Sequence, residues 1–307
     1  MRILMLGAGA VGGLFGGRMS AAGSDVTFLV RERRADELKN GLRIESPHGD
    51  ATIPVKTITR HDAGELFDVI ILSCKAYGLP GALDTINPFV SPGVPILPLL
   101  NGFAHLEIIE QKIPSAIVWG GTAGIVATLT EDGIVRQMHP NQVIVAGTRN
   151  DHTDSQSRLE ALVAEMKQAE ITATASPDIE RAMWEKWTFL ATLAGATCLM
   201  RGSISEILAT DHGEALIAGL FDECNQTAAA EGHPPRQSSA RHYSGMLFDR
   251  SSSFTASMLR DMEVGSLTEA DHIIGDMINR AERHGIAAQL LKLAYSRLQV
   301  YEAQRTG

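Results

Sequence analysis

The chain has 307 residues, 44% hydrophobic and 21% charged, with 27 basic against 36 acidic side chains and a net charge of −9. That apolar fraction, without long charge blocks, excludes a disordered chain; the acidic balance argues against a nucleic-acid-binding face, since Arg31, Arg33 and Arg34 are the densest basic cluster. Three cysteines without CxxC spacing (Cys74, Cys198, Cys224) indicate neither a disulfide framework nor a zinc site, and are those of a protein of the reducing cytoplasm.

The first half alternates strand and helix patterns. Residues 2–6 (RILML) read as a buried strand, followed by a Gly-rich turn, a helix over 10–22 and a strand over 25–30. The stretch between Arg2 and Arg18 is uncharged, as in a signal peptide, but six of its residues are glycine, which weakens any apolar helix there. No apolar run approaches the ~18 residues of a membrane span. Further strands are expected at 67–73 and 94–99, weaker ones at 117–119, 125–129, 134–137 and 143–145 as antiparallel additions, and a helix at 154–168. Ser176-Pro177-Asp178 reads as a helix start, with a Ser cap, Pro in the first turn and an acid behind it. Helices are then expected at 177–200, 203–210, 213–231, 255–263, 267–284 and 287–303. The expected architecture is an α/β Rossmann-type, doubly wound sheet over residues 1–175, followed by an all-α domain over 176–307. The apolar helices of the second half would serve equally to cover the first domain or to pair two chains as a homodimer.

Gly7-Ala8-Gly9-Ala10-Val11-Gly12 fits G-x-G-x-x-G, directly after a strand and opening a helix. In that context Gly7 permits the tight turn, Gly9 lets main chain approach a pyrophosphate, and Gly12 lets the helix pack on the strand. The helix N-terminus then offers N–H groups to the anion. Where an NAD-binding chain places an acid after its second strand, this one has Arg31, which suits a 2′-phosphate and hence NADP (NADPH). Glu32 would present an acid if the strand ended one residue later, and the three arginines also fit a solvated turn.

With Lys75, Asn101, Lys186, Ser257 and Glu269 in view, the chain resembles the ketopantoate reductase family (2-dehydropantoate 2-reductases) over nearly its whole length. The resemblance is carried by GAGAVGG, the S-C-K at 73–75, L-L-N-G at 99–102, W-E-K-W at 184–187, and S-M-L-R-D-M-E-V-G-S-L-T-E from Ser257 to Glu269. It implies NADPH-dependent reduction of a 2-oxo acid, most directly ketopantoate to pantoate. Lys186 would be the catalytic lysine and Glu269 the acid that acts with it and binds substrate. Ser257 would bind the substrate carboxylate, and Asn101 the lysine, the substrate or the nicotinamide ribose. Lys75 would lie near the cofactor. Each has a plainer alternative: an exposed helix lysine for Lys186, an Asn-Gly turn for Asn101, a solvated strand-end lysine for Lys75, a polar helix-start residue for Ser257, and for Glu269 a capping box with Ser266. No metal-ligand spacing stands out among the histidines.

The chain departs from the family where asparagines are common four and eight residues after the lysine, and three before the substrate serine. Leu190, Ala194 and Phe254 stand there. Apolar contacts in place of polar ones point to a substrate less polar or bulkier than ketopantoate. Another two-domain hydroxy-acid dehydrogenase, or a protein that senses NADP(H) without turnover, are the competing readings.

Overall fold

A computed structural model of the chain describes residues 1–62, 64–149 and 155–306. The chain divides into two compact units, one of residues 1–100 with 105–179, the other of residues 101–104 with 180–307.

In the first unit the elements run β1 (Arg2–Leu6), α1 (Ala10–Ala21), β2 (Asp25–Leu29), α2 (Glu32–Leu38), β3 (Leu42–Glu45), β4 (Ala51–Ile53), β5 (Lys56–Ile58) and β6 (Val69–Leu72). There follow α3 (Leu79–Ile86), β7 (Pro95–Pro98), α4 (Ala104–Lys112), β8 (Ile117–Val118), β9 (Gly120–Leu129), β10 (Val135–Gly147), α5 (Gln156–Gln168) and β11 (Thr172–Ala175). Six strands form a parallel sheet in the order β5-β2-β1-β6-β7-β8, the Rossmann arrangement expected. Consecutive residues of β6 and β7 are all buried, so both faces of the sheet are covered, and their apolar runs follow from that.

The weak strand signals resolve differently from the expectation. Residues 117–118 extend the parallel sheet as β8 rather than adding an antiparallel strand. The segments at 134–137 and 143–145 are one strand, β10, with a register shift between Gln137 and Gln142 against antiparallel β9. This strand also pairs in parallel with β3 and β11, making a second, mixed sheet. Helix α1 packs between the two sheets: a Cβ on Gly16 would press on Phe28 and Met5, and one on Gly17 on Ile44 and Leu42. The glycines that would weaken an isolated helix thus let its main chain approach a sheet on each side. The expected start of the α5 helix at Asp154 lies outside the described residues.

The second unit is helical: α6 (Ile179–Met200, entering from the first unit), α7 (Ile204–Leu208), α8 (Gly213–Ala230), α9 (Gln237–Leu247) and α10 (Ser257–Glu263). A π-helical turn (Asp271–Gly275) runs directly into α11 (Asp276–Arg283), and α12 (Gln289–Thr306) closes the chain. Ser176 Oγ accepts the Asp178 N–H at 3.2 Å, but regular helix begins only at Ile179, so Ser176 caps a turn ahead of the helix and is not its N-cap. Ser203 and Glu206 form a capping box at α7. Among the described residues no helix is long and apolar enough to cross a membrane.

Candidate functional site

In the first unit β1 delivers the chain to a turn that only glycine adopts readily: Gly7 has φ +90° and its N–H donates to Leu29 O at 3.0 Å. Ser73 Oγ donates to Leu6 O at 2.9 Å, and a Cβ on Gly12 would collide with that hydroxyl and with the Gly7 carbonyl. Gly9, the N-cap of α1, has open space beside it and no side chain caps the helix. The first-turn N–H groups of α1 are therefore left to an external acceptor, which fits a pyrophosphate. Ala8 is buried, while Ala10 and Val11 are partly accessible along the first turn.

The arginines after β2 divide their roles. Arg34, 14% exposed in its side chain, donates to Ala8 O and Gly133 O, each at 3.0 Å, and to Glu37 at 2.8 Å. It braces the glycine loop and is not a ligand in waiting, a function the sequence did not disclose. Arg33 is 93% exposed and pairs with Glu37. Arg31 is the exposed N-cap residue of α2, two positions past the end of β2. Glu32 lies 3.4 Å from His61. Lys75 is the partly buried residue that opens a short 3-10 turn (Ala76–Gly78) after β6.

In the second unit Lys186 projects from α6, and its ammonium donates to Asn101 Oδ1 at 2.8 Å. Desolvation pushes the Lys186 pKa down from 10.5 to about 8, and the carboxylate of Glu269 opposes that fall. The structure thus brings Lys186, Asn101 and Glu269 together from positions far apart in sequence. Glu269 is 8% exposed. Helical structure begins only after it, so Ser266 does not stand at that N-cap. Ser257 is exposed at the first turn of α10. The chain leading to it is pinned: Ala256 N–H donates to Thr197 Oγ1 at 3.3 Å, and Phe254 O accepts the Ile204 N–H at 3.1 Å.

Trp184 and Trp187, each 1% exposed, pack against each other and against Phe103, two residues after Asn101, with ring centroids 4.7–5.8 Å apart. The Arg280 guanidinium lies 5.7 Å from the centroids of all three and is bound to Glu231 at 2.8 Å and Asp276 at 3.1 Å. Phe189 stacks on Tyr243 at 4.8 Å and on Phe254 at 6.2 Å. Leu190 is partly exposed and Ala194 buried on α6. His272 was missed: its ring hydrogen-bonds the main chain of Asn101. No local signal in the sequence pointed to it, since its partner Asn101 is distant along the chain.

The family model for Ketopantoate reductase PanE/ApbA matches residues 3–151, and that for the C-terminal part of the same family matches residues 178–302. The chain is 35% identical to the uncharacterized oxidoreductase YkpB of Bacillus subtilis, over 99% of this chain and 100% of that one. It is 26% identical to the 2-dehydropantoate 2-reductase of Halobacterium salinarum over the whole of both chains. A D-mandelate dehydrogenase solved with NADH and anilino(oxo)acetate shares the fold, with a TM-score of 0.88 and 21% identity over the full length of both. With both family models matched in order and covering most of its length, the chain belongs to the ketopantoate reductase PanE/ApbA family of oxidoreductases.

Proposed function

We propose that the protein reduces a 2-oxo acid to the 2-hydroxy acid with NADPH, Lys186 acting as proton donor. The observation that carries this reading is an ammonium desolvated to a pKa of about 8 and aimed by Asn101 Oδ1 at 2.8 Å. NADPH, when bound, supplies hydride to the carbonyl carbon. The side chains attend to the carbonyl oxygen: the Lys186 N–H bonds to it and yields its proton as alkoxide charge develops. A lysine at its ordinary pKa would hold that proton too tightly near neutrality. Asn101 fixes the direction of the ammonium, Glu269 supports the cation and orients the substrate, and Ser257 receives the substrate carboxylate.

On the cofactor side, Gly7–Gly12 and the uncapped α1 N-terminus suit the pyrophosphate, with Lys75 of the same unit as a further contact. Among the described residues no carboxylate pairs with Arg31, whereas Glu32 faces His61; this favours a 2′-phosphate, and so NADPH over NADH. For the substrate, ketopantoate is what several relatives are named for, but Leu190, Ala194 and the Phe254–Phe189–Tyr243 stack favour a less polar side chain. The fold also carries a D-mandelate dehydrogenase, so it admits a phenyl-bearing hydroxy acid. NADPH oxidation measured against ketopantoate, aliphatic and aromatic 2-oxo acids tests both parts. Turnover with none of them contradicts the reading, and a strong kcat/KM preference for ketopantoate over apolar acids contradicts the apolar pocket.

A further inference from the structure

The π-helical turn at Asp271–Gly275 is clamped at two points. Trp187 Nε1 donates to Ile273 O at 3.0 Å, and Tyr295 Oη donates to Asp271 Oδ1 at 2.7 Å. Gly275 packs against the Tyr295 ring, where a Cβ would come within 3.3 Å. Such turns widen a helix by one residue and redirect the side chains on it. His272 lies on this turn, and its ring lies against Asn101-Gly102. A Cβ on Gly102 would stand 3.1 Å from His272 Cδ2 and 3.2 Å from Nε2, and Gly102 has φ +81°, so glycine is required there twice over. The hydrogen bond between the ring and the Asn101 main chain favours the protonated ring, which makes the imidazole N–H the donor and the Asn101 carbonyl the acceptor. The other face of the same residue, Asn101 Oδ1, receives Lys186.

We propose that His272 is a positioning residue for the proton-donating lysine: by holding the Asn101 carbonyl it sets the Asn101 amide where Lys186 needs an acceptor. This rests on the reading of Lys186 as proton donor. A residue after a strand, before a glycine with left-handed main chain, has freedom to swing; the imidazole removes it. Burial and Arg280 hold the His272 pKa down, while Glu269, Asp276 and the Asn101 carbonyl oppose them. An N–H is present in either protonation state, so the tie persists across the working pH range.

The test compares the full chain with His272→Phe, which keeps ring bulk and removes the N–H, and His272→Gln, which restores a donor. The substrate is the 2-oxo acid most rapidly reduced in the panel above. His272→Phe is expected to lower kcat about tenfold, the worth of one hydrogen bond, with the NADPH dissociation constant unchanged. The alkaline limb of its kcat–pH profile moves to lower pH, because an ammonium without its Oδ1 acceptor loses its proton more readily. His272→Gln returns both kcat and the limb towards wild type. If His272→Phe does not fold, His272→Met, also without a donor, takes its place. A donor-less variant with unchanged kcat and limb overturns the inference, as does a slowed one whose limb stays put, which marks a merely structural role. Lys186→Ala run alongside separates the two failures. Persistent turnover there removes the reading of Lys186 and this inference together, whereas lost turnover beside an indifferent His272→Phe removes the inference alone.

Discussion

In the first unit the glycine loop is made of main chain: Gly7 turns it, Gly9 leaves it open, Gly12 lets α1 lie against Ser73, and Arg34 braces it through a carbonyl. In the second unit Lys186 is surrounded by side chains, with an amide in front, a buried carboxylate nearby and three aromatic rings on the neighbouring turns of α6 and beside Asn101. A main-chain anion site uses hydrogen-bond donors that the fold leaves over at a helix start, and it costs little stability. A desolvated ammonium is held against its preference for water, and the surrounding fold has to offset that.

The largest effect that separates the two regions is on chemistry. Lys186→Ala should lower kcat about 10²–10⁴-fold while NADPH still binds, the range for removing a general acid. Retained turnover, followed by NADPH absorbance, would take the proton donor out of the account.

The same lysine should act oppositely on stability. Its folded pKa, about 8, lies below the 10.5 of an ordinary lysine, so folding disfavours the charged form. The cost is fully present below about pH 8 and fades as pH rises towards 10.5, reaching at most about 3 kcal/mol. Lys186→Met should therefore raise Tm at neutral pH, with a gain that shrinks under alkaline conditions. Calorimetry showing an equal or lower Tm at pH 7 would contradict the desolvation.

On the nucleotide side, Arg31→Ala should weaken NADPH by about 10–100-fold, the worth of charge-assisted bonds to a phosphate, and leave NADH nearly unchanged. Equal losses for both cofactors would place Arg31 away from the 2′-phosphate. Gly12→Ala should destabilise the protein by about 1–3 kcal/mol through the clash with Ser73 and the Gly7 carbonyl. An unchanged denaturation midpoint would mean that the loop yields.

The contrast between the regions also decides how much was legible in the sequence. A strand followed by G-x-G-x-x-G announces itself because its logic is local, and β1, α1 and β2 follow from it. The second sheet was harder: β11 is only TATA and β4 only ATI, and their partners are distant in sequence. Helix α9 keeps helical spacing at Ala240, Tyr243, Met246 and Leu247, but Leu247 is its one buried residue, so the apolar stripe is a faint signal in the sequence. The lysine cluster was visible through the family resemblance. So was the expectation that Asn101 holds the lysine, a bond that crosses 85 positions; the tie from His272 to the Asn101 main chain was not, because no local pattern links two residues so far apart in sequence.

The most direct test of the account is kcat for 2-oxo acid reduction as a function of pH, at saturating NADPH and under conditions where proton transfer limits the rate. A donor with a pKa of about 8 predicts a plateau below that value and a fall of about tenfold per pH unit above it. A rate that stays level through pH 10 would contradict a desolvated Lys186 as the source of the proton.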